Sequence, residues 1–292
     1  MIQKIPPAGP IDNHREREKG VLVYPVFSRR SGGLSVGINL FPDKKICPFD
    51  CPYCEVFPFA ANAGRQFSLV QLEDDLRAAL ADALKRNVPV KDICFSGNGE
   101  PSLTAAFPEA LHLAGRVLVE MVPAAKLVLI TNGAGLLQPE LFSLLADAAL
   151  SAKGAAGFPP LDIWLKADAG TPGWYQKINR SAIPFEELAG KIQEFAARAP
   201  VTIQTMLCAV DGEGPPPDEA AAWEKLVVAL AAIAANNGEG GIRKVQIYGK
   251  ARPSPDDPRA RPLPVEYLES RAGSLRRALA VISPAPPVEV YP

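Results

Sequence analysis

Short apolar runs rich in β-branched residues alternate with segments of helical period along nearly the whole chain. The runs at Ser35–Phe41, Asp92–Gly97, Lys126–Asn132, Asp162–Asp168, Val201–Leu207 and Lys244–Lys250 predict strands. They are nearly continuous in apolar character, as strands buried on both faces are. Between them the pattern shifts to helix. Ser68 and Gln71 are spaced as a capping box, Phe67 and Leu72 as a hydrophobic staple, and Leu69, Leu72, Leu76, Leu80 and Leu84 as one face. Later helices are predicted to open near Pro108, Pro139, Pro184, Pro217 and Pro264, each followed closely by Glu or Asp. Phe185, Leu188, Ile192 and Phe195 form one apolar stripe, and Trp223, Leu226, Val227 and Leu230 another; both read as core. Six strands, each followed by a helix, predict parallel neighbours joined by right-handed crossovers. The fold class is therefore α/β, with a partial (β/α)6 TIM-like barrel open on one side. Chemistry in such a fold belongs at the C-terminal ends of the strands.

No low-complexity linker divides the chain. Residues 1–24 read as an N-terminal extension, 25–250 as the barrel core and 251–292 as a segment packing on it. A net charge of −1 removes any global positive field and weakens readings in which the whole surface tracks nucleic acid. The first twenty residues carry Pro and charge where an export signal would carry an apolar run. The apolar stretch from Leu226 is about half the ~20 residues that span a bilayer. A cytoplasmic protein without membrane association is expected.

Cysteine changes the picture. Of five, three lie at Cys47, Cys51 and Cys54, a poor pattern for disulfides and a good one for metal. Pro48 and Pro52 disfavour a helix there, so the loop can wrap a central object. A structural zinc site wants four protein ligands, and no further Cys or His is near; His14 and His112 lie far off in sequence. An iron–sulfur cube held by three thiolates would leave one iron open. The other reading is a structural or redox-sensing metal site that recruits Cys94 or Cys208, although these two read more simply as buried small hydrophobes. Two spare cysteines are too few for a second all-cysteine cube, so one cluster is expected.

The C-x3-C-x2-C spacing, with Tyr53 immediately before the last cysteine, resembles the cluster loop of radical S-adenosylmethionine enzymes. The resemblance implies a [4Fe-4S] cluster whose open iron is chelated by S-adenosylmethionine, reductive cleavage to a 5'-deoxyadenosyl radical, and hydrogen abstraction from a substrate. Tyr53 would then lie against the adenine. A second motif, Gly97-Asn98-Gly99-Glu100-Pro101, follows the next strand and resembles the family's "GGEP" segment, which holds the methionine ammonium through backbone carbonyls. Glu100 is expected to neutralise nearby positive charge. Thr131 and Asn132 end the third strand, either as mouth-lining partners or as a plain turn. Lys166 and Asp168 end the fourth; by resemblance they would meet the cofactor's carboxylate or ribose. Gln204 and Thr205, with Gln246 and Tyr248, are candidates for its ribose and adenine ends, and a core hydrogen-bond network would explain them equally.

The segment Pro25 to Val56, with its Ser-Arg-Arg, Gly-Ile-Asn-Leu and Lys-before-Cys features, and the segment "VQIYGKARPSPDDP" resemble a branch of iron–sulfur oxidoreductases related to wyosine-forming tRNA-modifying enzymes. The chain departs from the latter in lacking cysteines for a second cluster and a broad basic surface. Arg29, Arg30, Lys44, Lys45, Lys250 and Arg252 flank the mouth in sequence, as an anionic substrate or protein partner would want, or simply as solvated charge. The resemblance implies an external reductant of the flavodoxin or ferredoxin type. It leaves the substrate open among small molecule, nucleoside and peptide, and no side chain is assigned as acid or base. Glycyl-radical-enzyme activation, tRNA base modification and a non-catalytic metal or redox-sensing role are the alternatives.

Overall fold

The computed structural model describes residues 21–56, 67–150, 159–237, 240–252, 254 and 257–292. Residues 1–20 of the expected extension, His14 included, lie outside them, as do Pro253, Pro255 and Asp256 of the C-terminal motif.

The six predicted strands are present and parallel: β2 (Gly33–Ile38), β3 (Val90–Phe95), β4 (Lys126–Thr131), β5 (Leu161–Lys166), β6 (Pro200–Val210) and β7 (Gly241–Gly249). Three more complete a nine-stranded sheet. β1 (Val23–Ser28) pairs antiparallel with β2, β9 (Val288–Tyr291) runs parallel to β7, and β8 (Ala260–Pro262) pairs antiparallel with β6. The sheet curls into a half barrel and does not close, with β1 at one edge and β9 at the other. The strands missed in the sequence are the short or marginal ones. β1 carries Pro25 and β8 has three residues, both tolerable only away from the middle of a sheet.

Helices cover the outer face. α1 (Leu69–Lys85) starts as expected, with Ser68 as N-cap accepting from the Gln71 amide. α2 (Phe107–Met121), α3 (Pro139–Leu150), α5 (Phe185–Arg198), α6 (Pro217–Asn237) and α7 (Val265–Leu279) all open at or beside the predicted prolines. α4 (Pro172–Ile178) was not predicted; Thr171 caps it by accepting from the Trp174 amide at 3.3 Å. Outward-pointing Ile93, Phe95, Leu127, Leu129, Ile163, Leu165, Ile203, Val245 and Ile247 join Leu72, Leu76, Leu80, Leu188, Ile192, Phe195, Trp223, Val227 and Leu230 in one core. Leu84, expected on that face, is 49% exposed. Each i to i+4 step overshoots a full helical turn by about 40°, so a row of four rotates off the core and Ala83 takes the last buried place.

Strand side chains alternate, and the inner face is different in kind. Cys94, Val128 and Trp164 form a small apolar patch there. Around it lie the buried polar groups Ser35, Asp92, Asp162, Thr202, Gln204 and Gln246. No described helix is long and apolar enough to cross a membrane.

Leu76→Ala should cost about 2–5 kcal/mol in urea denaturation, and Leu84→Ala no more than about 0.5 kcal/mol. Equal losses at the two positions would contradict this packing.

Candidate functional site

The cysteine loop leaves the C-terminal end of β2 and is pinned first by the glycine turn after β3. Asn39 is buried, and its Oδ1 accepts from the backbone amides of Phe41 at 3.2 Å and Asn98 at 3.1 Å. Asn98 returns the contact, its Nδ2 donating to the carbonyls of Phe41 at 3.0 Å and Pro42 at 3.4 Å. Gly99 bridges to Ile46, and the Glu100 amide donates to the Ile46 carbonyl at 2.8 Å. Such close approach needs glycine. A Cβ on Gly99 would stand 2.2 Å from the Ile46 oxygen, and Gly97 adopts φ +132° with Asn39 Oδ1 2.5 Å from where its Cβ would be.

Below this turn Glu100 is 2% exposed. Its Oε1 accepts from the Ser102 hydroxyl at 2.7 Å, the Ser102 amide at 3.3 Å and the Thr131 hydroxyl at 2.7 Å, and its Oε2 from the Asn132 amide at 2.7 Å. Burial raises its pKa, and these donors pull it back. Among the described residues no cation stands within ion-pair distance of it, so the expected charge neutralisation is replaced by neutral donors. The carboxylate fixes Asn132, whose Nδ2 reaches Cys47 Sγ at 3.3 Å.

A second carboxylate does the same from the opposite side. Asp168, just beyond β5, accepts from the Met206 amide at 2.8 Å, from Asn179 Nδ2 at 3.0 Å and from the Tyr53 hydroxyl. Asn179 Nδ2 also lies 3.5 Å from Cys51 Sγ, and the Asn179 carbonyl accepts from the Asp50 amide at 3.0 Å. Lys166 Nζ is 3.4 Å from Asp168, donates to Tyr248 Oη, and lies 4.8 Å and 5.0 Å from the ring centroids of Tyr53 and Tyr248. Burial alone would lower the Lys166 pKa; Asp168 and Tyr248 overcome it and hold the ammonium charged. Burial and Asp168 together push the Tyr53 phenol well up, so it stays a donor.

Burial pushes the Cys47 thiol up to about 12 and the Cys51 thiol up to about 11. A thiolate in this loop therefore needs a bound cation, and amide donors aimed at sulfur are what a metal-bound thiolate uses. Among the described residues no three Cys, His, Asp or Glu side chains converge closely enough for one ion. Three thiols in one loop, with an amide donor at two of the sulfurs, are a donor set that fits an iron–sulfur cube held by three thiolates. Cys94 and Cys208 are buried free thiols and, among the described residues, join no three-ligand group.

No protein-family model matches this chain. It is 31% identical over 133 residues to a UPF0026 protein of Helicobacter pylori strain 26695, and 30% identical over 128 residues to that of strain J99. The matched stretches are 45% and 44% of this chain and 41% and 39% of those proteins, so the likeness spans less than half of either curated relative. Among solved structures, a radical SAM methyltransferase from Sphaerobacter thermophilus superposes with a TM-score of 0.62 at 15% identity, covering 92% of this chain and 68% of that one. Streptococcus suis SuiB bound to S-adenosylmethionine gives 0.56 at 12% identity, covering 90% and 52%. SuiB bound to its precursor peptide SuiA also gives 0.56 at 12% identity, covering 89% and 51%. The fold is the one these radical SAM enzymes share.

Within that fold the residues named from sequence divide. Tyr53, Gly97, Asn98, Gly99, Glu100, Asn132, Lys166 and Asp168 gather around the loop through the contacts above, with Tyr248 at their edge. Thr131 sits beneath, its hydroxyl spent on Glu100. Gln204 and Gln246 lie deeper, fully buried and joined by a 2.7 Å hydrogen bond. Thr205 points the other way, donating to the Ala167 carbonyl at 2.8 Å beside Trp223. The basic residues also divide. Arg252 pairs with Glu55 at 3.0 Å, and Lys250 holds Ser254, whose hydroxyl donates to the Pro52 carbonyl at 2.7 Å, so this segment buttresses the cysteine loop. Asn39 and Asn179 were not foreseen. The readable signal for Asn179 is an Asn-Arg pair ending a short helix, where Arg180 takes φ +45°.

Gly99→Ala should destabilise the chain by about 1–3 kcal/mol. Gly173→Ala, in open space on α4, should be neutral or stabilising by up to about 1 kcal/mol. Thermal denaturation of the two variants checks the contrast.

Proposed function

We propose that this chain is a radical S-adenosylmethionine enzyme in which Cys47, Cys51 and Cys54 hold a single [4Fe-4S] cluster. The observation that carries the reading is the pair of asparagines, Asn132 and Asn179, each fixed by a buried carboxylate and each aimed at a loop sulfur. The cluster, when bound, supplies an electron to the sulfonium of S-adenosylmethionine. An external reductant of the flavodoxin or ferredoxin type feeds it.

The chain's own groups bind and orient. Backbone around Gly97, Asn98 and Gly99 is held open by the glycines and offers carbonyls to the methionine ammonium. Lys166, kept charged by Asp168, stands on the mouth side of β5, where a carboxylate or a ribose hydroxyl can meet it. The Tyr53 and Tyr248 ring centroids lie 4.8 Å and 5.0 Å from that ammonium and supply aromatic surface on which an adenine can stack. The substrate class stays open at this level: one similar structure is a methyltransferase and another binds a precursor peptide. The likeness of Pro25 to Val56 to the wyosine-related branch favours that branch among family members.

Anaerobic loading with iron and sulfide, followed by S-adenosylmethionine and dithionite, should give 5'-deoxyadenosine. Cys47→Ser, Cys51→Ser and Cys54→Ser should each lose the cluster, and Cys94→Ala should keep the wild-type iron content. Stoichiometric zinc, or a cluster that yields no nucleoside product, would sink the proposal.

A further inference from the structure

The turn joining β1 to β2 crosses the open side of the half barrel. Arg29 donates to the carbonyl of Pro292, which follows edge strand β9, so the turn is tied to the far edge of the sheet. Its neighbour Arg30 points inward. The Arg30 guanidinium donates to Gln204 Oε1 at 3.1 Å and lies 5.0 Å over the Tyr248 ring and 5.8 Å from the Trp164 ring centroid. Two aromatic faces and one amide oxygen hold it, and among the described residues no carboxylate stands within ion-pair distance. A guanidinium has five N–H donors, and one is used here.

A further donor on the same inner face has no acceptor. Trp164 Nε1 is buried and unpaired, in a residue that is 4% exposed. The amides next to Arg30 are occupied: Arg30 donates to Gln204, Gln204 donates to Gln246 Oε1 at 2.7 Å, and the Gln246 side chain turns to Glu289, which also accepts from Lys244 and the Tyr291 hydroxyl, both at 2.8 Å. A buried donor without an acceptor is costly and rare, and one in the ring beside a guanidinium with spare donors describes the complement of an acceptor-rich anion.

We infer that Arg30 and Trp164 form a substrate subsite for an anionic group, a carboxylate or a phosphate. The subsite lies inside the half barrel, beneath the Lys166 and Tyr248 side chains. This rests on the reading of the mouth as the S-adenosylmethionine site, since the anion would anchor the substrate against that cofactor. Arg30 is then a binding residue that also guards the lateral opening, and the aromatic faces keep its charge in place when no substrate is present.

The chain has three tryptophans, and the indole of Trp164 is a built-in reporter. Trp223 Nε1, already bonded to the Ala167 carbonyl at 2.9 Å, and Trp174 on α4 serve as internal controls. The test titrates inorganic phosphate, and separately malonate, into the full chain with and without anaerobic cluster loading, each in saturating S-adenosylmethionine and again with it withheld, while the indole N–H resonances are recorded. Trp164→Phe assigns the reporter. A saturable shift confined to Trp164 is expected, weakened at least about 10-fold in Arg30→Gln. A response to one anion alone names which source the site prefers.

An unmoved Trp164 signal in the wild-type chain overturns the proposal without recourse to any variant. So does an Arg30→Gln protein that titrates like wild type. A shift seen only when S-adenosylmethionine is withheld would give the donors to the cofactor and likewise overturn it. The titration does not depend on turnover. Absent 5'-deoxyadenosine with a positive titration would fail the enzyme reading alone, and the reverse pattern would fail the subsite alone.

Discussion

Two buried carboxylates, Glu100 and Asp168, hold the mouth of this half barrel together. Each sits at the C-terminal end of a parallel strand, and each is surrounded by donors that fix one asparagine against one cysteine sulfur. Carboxylates can be buried this way only because hydrogen bonds to the charged form surround both of them, with the Lys166 ammonium beside Asp168 as well; an orphaned one would be paid for in several kcal/mol. The arrangement therefore positions Cys47 from the β3–β4 side and Cys51 from the β5 side. The loop between them is held from two directions by the polypeptide itself, which would lower the ordering cost of binding the proposed cluster.

The two faces of the sheet show why the barrel stays open. Outward residues such as Phe95, Leu129, Leu165 and Ile247 pack against helices as any α/β core does. Inward residues such as Asp92, Asp162, Gln204 and Gln246 are buried and polar, and a chain selected for stability alone would fill these places with Val or Leu. Most are satisfied locally: the Ser35 hydroxyl donates to Asp92, and Asp162 accepts from Thr202 at 3.2 Å. The exception is the Trp164 indole N–H, in the ring beside Arg30. A half barrel keeps a lateral opening that a closed one loses, and the β1–β2 turn crosses it.

Much of the fold was legible because its signals are local. The prolines that open α2, α3, α5, α6 and α7, and the Ser68 cap of α1, act within one turn of chain, and the strand runs needed only their composition. The edge strands β1 and β9 and the seven-residue α4 were not legible, since short elements draw their stability from partners distant in sequence. The site divides in the same way. Glycine and cysteine spacing could be read directly, but Asn179 meets Cys51 across 128 positions and Arg30 meets Gln204 across 174. Some of the misplacement was avoidable. Gln204 and Thr205 are adjacent on a strand and must face opposite ways, so only one could belong to the interior. Thr131 and Asn132 divide likewise, whereas Lys166 and Gln204, paired across β5 and β6, face inward together.

The central claim is that this loop presents one iron that no side chain ligates. Electron-nuclear double resonance on the reduced, anaerobically loaded protein, with S-adenosylmethionine labelled at its amino nitrogen and carboxylate, tests it most directly. The account predicts hyperfine coupling from both labels, the signature of direct ligation to a cluster iron. Labels silent in a spectrum that S-adenosylmethionine leaves unchanged would contradict it.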